Sequence, residues 1–171
     1  MAEKGVRDAS DWTVIGGQAG TTPGGLYADA AGARWYVKMP ASDDHARSEV
    51  AANRLYRLAG AGVRVPKPYD FLDGVLLMEV VRDAEGNPAP RLNDVELTPD
   101  QARHWHAFMM TQVVRMLCAG LIHGDLSEFN VLLGLEGPVI IDLPQAVNAA
   151  GNNNAFRMLE RDVNNMRDTF G

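Results

Sequence analysis

At 171 residues the chain is long enough for one core or for two small lobes sharing a cleft, and 46% hydrophobic with 22% charged residues suits a folded globular protein. A net charge of −6 gives no sign of a nucleic-acid-binding surface, and no uninterrupted apolar stretch approaches the length that spans a bilayer. The single cysteine, Cys118, excludes an intrachain disulfide and suits a reducing compartment, and residues 1–10 lack an apolar signal core, so a cytoplasmic protein is expected.

Residues 12–15 read as a short strand running into a glycine-rich turn that contains Gly16, Gly17, Gly20, Gly24 and Gly25. Glycine lets backbone approach a ligand closely and offer N–H groups to phosphate oxygens, although a plain hairpin would carry the same composition. A turn over 28–33, suited by Asp29 and Gly32, leads to an aromatic and β-branched strand that ends on Lys38. Ser42 or Asp43 is placed to cap a helix that runs to about Ala59 and is closed by Gly60. Ala51, Leu55 and Leu58 form its apolar stripe, with Glu49 at the edge beside Ala52 and Tyr56. Pro66 and Pro68 keep the next stretch extended. Asp73-Gly74, between strands at 69–72 and 75–81, is a hairpin signal.

Gly86, Pro88 and Pro90 make 82–97 a connecting segment. A helix should start at Thr98, with Pro99 in its first turn and Gln101 in the capping-box place, and run to Ala119 with Gly120 closing it. Trp105, Met109, Val113 and Met116 mark its core face. His104 and His106 are two apart, so they point to different sides and read as structural or solvent-facing. Near the end, Asn154 is placed to cap a last helix whose buried stripe is Phe156, Leu159, Val163, Met166 and Phe170.

Between these helices, residues 122–130 read Ile-His-Gly-Asp-Leu-Ser-Glu-Phe-Asn. The apolar pair Leu121-Ile122 enters this stretch, and Val131-Leu132-Leu133 leaves it. A second apolar run over 138–141 ends on Asp142. Polar groups at the ends of short buried strands suit a site held by a rigid scaffold. Phosphoryl transfer needs a carboxylate to orient the acceptor and oxygen ligands for magnesium. Asp125 can orient the acceptor, and Asn130 and Asp142 can ligate the metal. The plainer alternative is that all three merely cap turns. His123 reads as a support for the loop and not as a proton carrier.

His123-x-Asp125, then Asn130, then a strand ending on Asp142 is the catalytic-loop pattern of the protein-kinase fold. Residues 123–130 and Ile141-Asp142-Leu143-Pro144-Gln145 resemble the RIO kinases, a small atypical branch of that fold, over about residues 49–171. The common protein-kinase loop carries a lysine two residues after the catalytic aspartate, whereas this chain has Ser127 there, as RIO proteins do. The resemblance implies a minimal two-lobe α+β fold. It would comprise a flexible start at 1–10, a first lobe over 11–81, a connection over 82–97 and a second lobe over 98–171.

It further implies ATP and Mg2+ in the cleft, under a turn containing Gly16, Gly17 and Gly20. Lys38 would grip the phosphates and Glu49 would position Lys38. Met78 would border the adenine pocket, with the Glu79 carbonyl and the Val81 amide bonded to the base. Asp125, Lys38, Asn130 and Asp142 would form the catalytic set. The implied activity is ATP hydrolysis or serine phosphorylation of a protein substrate or of the chain itself, and some members phosphorylate the metal-binding aspartate. The first fifty residues match the family poorly, which leaves a minimal variant or a chimera open. Two other readings stand beside it. Small-molecule phosphotransferases share the loop pattern, although Ser127-Glu128 and the short tail weigh against them. A nucleotide-binding scaffold with little turnover is the other.

Overall fold

Strand-forming residues separated by short turns build one antiparallel sheet at the front of the chain. A computed structural model describes residues 11–17, 24–38 and 45–171. Strands β1 (Thr13–Gly16), β2 (Gly24–Ala28) and β3 (Arg34–Lys38) are followed by helix α1 (His45–Gly60), β4 (Pro68–Leu72) and β5 (Val75–Met78). The sheet order is β1-β2-β3-β5-β4. In register, Leu26 lies opposite Tyr36, and Tyr36 opposite Met78. Asp29 closes the β2–β3 turn by accepting from the Ala31 and Ala33 amides at 3.0 and 2.9 Å and from the Trp35 indole at 3.0 Å. Asp73 and Gly74 both adopt positive φ, 48° and 81°, as the Asp-Gly pair predicts for a two-residue hairpin turn.

Two expectations on this side are corrected. The last strand stops at Met78 and not at Val81. The Glu79 amide donates to the Lys67 carbonyl at 2.8 Å, next in register after the Pro68–Met78 pair, and the chain beyond pairs Arg82 with Pro88. The buried face of α1 is Ala52, Leu55 and Leu58, with Ala51 only half-buried. The helix packs against β4, β5 and a turn at Leu143–Gln145, which rotates the buried stripe by one residue. Ser42 and Asp43, the expected caps, lie outside the described residues.

Helix α2 (Pro99–Cys118) starts as expected. Thr98 Oγ accepts from the Gln101 amide at 3.3 Å, and Gln101 Oε1 accepts from the Thr98 amide at 2.9 Å. Short strands β6 (Leu121–Ile122), β7 (Val131–Gly134), β8 (Gly137–Ile140) and β9 (Val147–Asn148) follow, then helix α3 (Ala155–Phe170). Strand β6 pairs with β9 and β7 with β8. The Trp105 ring lies over Gly137, where a Cβ would come within 2.5 Å of it and φ is +112°. Phe156 is 75% exposed, against expectation. It sits one position round the helix from Ala155, and the face that packs is Ala155, Asp162 and Met166, with Leu159, Val163 and Phe170 half-buried.

One apolar core joins the sheet side to the helical side. Leu55 and Leu58 of α1, Leu76 of β5, Met109 and Met116 of α2, Val131, Ile140 and Met166 belong to a single cluster. Arg64 reinforces that junction. Its amide donates to Gln112 Oε1 of α2 at 2.9 Å, and its carbonyl accepts from the Ile140 amide at 2.9 Å. Its guanidinium makes two bonds to Glu79, at 2.9 and 3.0 Å.

Candidate active site

The catalytic-loop stretch is held by side chains on both flanks of Asp125. Gly124 takes φ +82°, a conformation costly for any residue with a Cβ, and this turns the chain sharply out of β6. His123 is 2% exposed, and its Nε2 lies 2.9 Å from the Ile141 carbonyl. A carbonyl only accepts, so Nε2 carries the proton and the imidazole ties the loop to the strand that leads to Asp142. That supporting role is the one expected for His123.

Helix α3 supplies the second restraint. Asp162 is 2% exposed and accepts from the Gly124 amide at 2.7 Å and the Leu126 amide at 2.9 Å. Asn165 Nδ2 donates to the Leu126 carbonyl at 2.8 Å. Burial pushes the Asp162 carboxyl above its usual range, and the two amide bonds, with His123 and Arg161 nearby, offset this only in part. Sequence reasoning passed over Asp162. Its one signal was a carboxylate set inside the apolar stripe of Leu159, Val163 and Met166.

On this frame Asn130 meets Asp125, and Asp142 follows the end of the neighbouring strand. Asn130 Nδ2 donates to the Asp125 carbonyl at 2.8 Å and lies 3.5 Å from Asp125 Oδ2. The Asn130 carbonyl accepts from the Ile141 amide at 2.9 Å, so Asn130 stands beside the strand end that carries Asp142. Asp142 is exposed and left-handed, with φ 63° and ψ 53°. A non-glycine residue held there is a recognised sign of a functional site. Arg54 of α1 donates to the Pro144 carbonyl at 2.6 Å, linking that helix to the segment just after Asp142. Arg161 donates to the Gly124 carbonyl and lies 3.9 Å from Asp125 Oδ1.

The Asn130 amide oxygen and the Asp142 carboxylate accept no hydrogen bond from the described residues. Hard oxygen donors of this kind fit magnesium.

The positions expected to face a nucleotide are less closely gathered. Gly16 ends β1 and Gly17 follows it, while Gly20 lies outside the described residues. Lys38 ends β3, in register with Gly24 and Leu76. Glu49 is exposed on α1. Met78 ends β5. Beyond it the Glu79 carbonyl and the Val81 amide make no backbone hydrogen bond among the described residues. A recess of about 370 Å³ runs between Ile15 and Leu26 of the sheet and Val80, Arg82 and Pro88 of the connection. That volume is in the range of small-molecule sites. No catalytic-loop residue lines it.

An antiparallel sheet with one helix, joined to a helical part that bears such a loop, defines a minimal protein-kinase-like fold. Residues 39–171 match the RIO domain family, and the chain belongs to it. The chain is 39% identical over 116 residues to the RIO-type serine/threonine-protein kinase Rio1 of Haloferax volcanii, covering 68% of this chain and 39% of that one. It is 36% identical over 120 residues to Rio1 of Thermoplasma acidophilum, covering 68% of this chain and 59% of the relative. It is 34% identical over 124 residues to the human serine/threonine-protein kinase RIO1, covering 72% of this chain and 22% of the relative. The chain thus spans about a fifth to three fifths of the length of these relatives. The family match begins one residue after Lys38, so β1, β2 and β3 lie outside it.

Proposed function

We propose that the chain is an ATP-dependent phosphotransferase of the serine/threonine-kinase type, acting on a protein hydroxyl or on its own serines, with water as an alternative acceptor. The contact between Asn130 and Asp125, beside the strand end that leads to Asp142, carries this reading. The acceptor oxygen attacks the γ-phosphorus. The bond from that phosphorus to the bridging oxygen breaks, ADP leaves with the electron pair, and Asp125 takes the acceptor's proton. Asn130 and Asp142 would hold magnesium, which supplies charge neutralisation for the phosphates. Lys38 grips the phosphates and Glu49 orients Lys38, under the turn that includes Gly16, Gly17 and Gly20. Met78 borders the base, and the Glu79 carbonyl and Val81 amide bond to its edge. The kinase names of the relatives support serine or threonine as the acceptor.

The test uses γ-labelled ATP with magnesium. The intact chain should transfer or release label, and Asp125→Ala should lower the rate by about 100-fold or more while still binding nucleotide. Label on protein that hydroxylamine removes would mark an acyl phosphate at Asp142, and label that survives would mark a hydroxyl. ATP binding without transfer or release would replace this reading with a nucleotide-binding scaffold.

A further inference from the structure

We propose that Arg161 of α3 is a positioning residue that supplies, from outside the catalytic loop, the positive charge this loop lacks. The inference rests on the phosphotransfer reading above. Residues 122–130 contain no lysine or arginine, and Ser127 stands where the common protein-kinase loop carries its lysine. A carboxylate that must meet an anionic phosphoryl group needs a neighbouring cation to offset the repulsion. Among the described residues, Arg161 is the one cation in an ion pair with Asp125, at 3.9 Å from Oδ1. It also donates to the Gly124 carbonyl, one residue before Asp125.

The placement has a structural logic. Asp162 accepts from the amides of Gly124 and Leu126, and its immediate neighbour Arg161 donates to the carbonyl of Gly124. Two consecutive residues of one helix therefore fix the loop, one as acceptor and one as donor. Arg161 draws on Oδ1 of Asp125, while Oδ2 lies on the side of Asn130. The carboxylate is thus oriented from both sides, by the Arg161 charge at 3.9 Å from Oδ1 and by Asn130 Nδ2 at 3.5 Å from Oδ2. The Arg161 side chain is 55% exposed, so its charge is reachable from solvent and its loss empties no core.

Arg161→Ala, Arg161→Gln and Arg161→Lys separate charge from structure. Each is made in the full chain, checked for an unchanged melting temperature, and assayed for magnesium-dependent ATP turnover. Arg161→Ala should lower kcat by about 10- to 100-fold with KM for ATP little changed, the pattern of a lost orienting interaction. Arg161→Gln keeps a polar donor but is neutral, and should stay low. Arg161→Lys should recover part of kcat, and added guanidinium ion should raise turnover in Arg161→Ala. Equal rates for the Gln and Lys variants, or full kcat in all three, would overturn the role of Arg161 while leaving the phosphotransfer reading intact. Absence of turnover in the unmodified chain, or turnover indifferent to Asp125→Ala, would instead overturn that reading and this inference with it.

Discussion

Asp162 is the residue on which the geometry of the catalytic loop turns. Its two oxygens each meet an amide hydrogen, so it works only as a double acceptor. Asparagine has one acceptor oxygen, and its amino group would face a donor. Asp162→Asn should therefore lower stability by about 1–3 kcal/mol, relieved in part because asparagine carries no charge to bury. It should also cut turnover. Denaturant midpoints and ATP turnover on the same samples check both outcomes. The residue was hidden in the sequence because its partners lie 38 and 36 positions away, and an aspartate within an apolar helix face reads as a solvated residue until the fold closes round it. Asp125, Asn130 and Asp142 stand out in the sequence because their spacing is short and their chemistry is shared by few other patterns, and the fold brings Asn130 against Asp125.

At the scale of elements, the segment 63–67 and the end of β5 form a clasp. Glu79 takes both bonds from Arg64 and a third from the Lys67 amide at 3.0 Å. Burial pushes the Glu79 carboxyl up, but Arg64 and the Lys67 amide overcome that and hold it below the ordinary value. A carboxyl lowered in the folded state stabilises fully above its unfolded pKa of about 4.3 and loses that contribution as pH falls through the lower folded value. Thermal melts from pH 7 downward should show this loss in the unmodified chain, and Glu79→Gln should be less stable at pH 7 and flatter across the acid range. A variant with the same acid slope as the parent would remove Glu79 from the account. The hairpin turn at Asp73-Gly74 and the capping box at Thr98 were read correctly from sequence, since each is decided by residues within four positions. The end of β5 was not, because the chain beyond Met78 turns to pair Arg82 with Pro88. Neither was the exposure of Phe156, because the apolar stripe of α3 is rotated by what it packs against.

The molecule as a whole has one core and should unfold in one step. Leu58 is fully buried in a cluster that includes residues of α1, β5, α2, β7, β8 and α3. Leu58→Ala should cost about 2–5 kcal/mol and lower the transition of both parts together. Trp12 and Trp35 report on the sheet, where their rings stack at 6.0 Å, and Trp105 reports on the helical part. With Trp105→Phe in one sample and Trp12→Phe with Trp35→Phe in another, fluorescence midpoints should coincide. Separate midpoints would show that the two parts fold independently.

The sequence by itself determined the α+β class, the capping box at Thr98, the turn at Asp73-Gly74 and the resemblance to RIO kinases, and it singled out Asp125, Asn130 and Asp142 as candidates. These depend on local backbone preference or on short fixed spacings, which survive in a linear string. Tertiary structure alone decided that Asp162 and Arg161 would hold the loop, that Glu79 would clasp Arg64, and which face of each helix would be buried. A buried polar side chain takes its role from whichever unpaired donor or acceptor the fold brings to it, and that meeting is set by packing across distant segments of the chain.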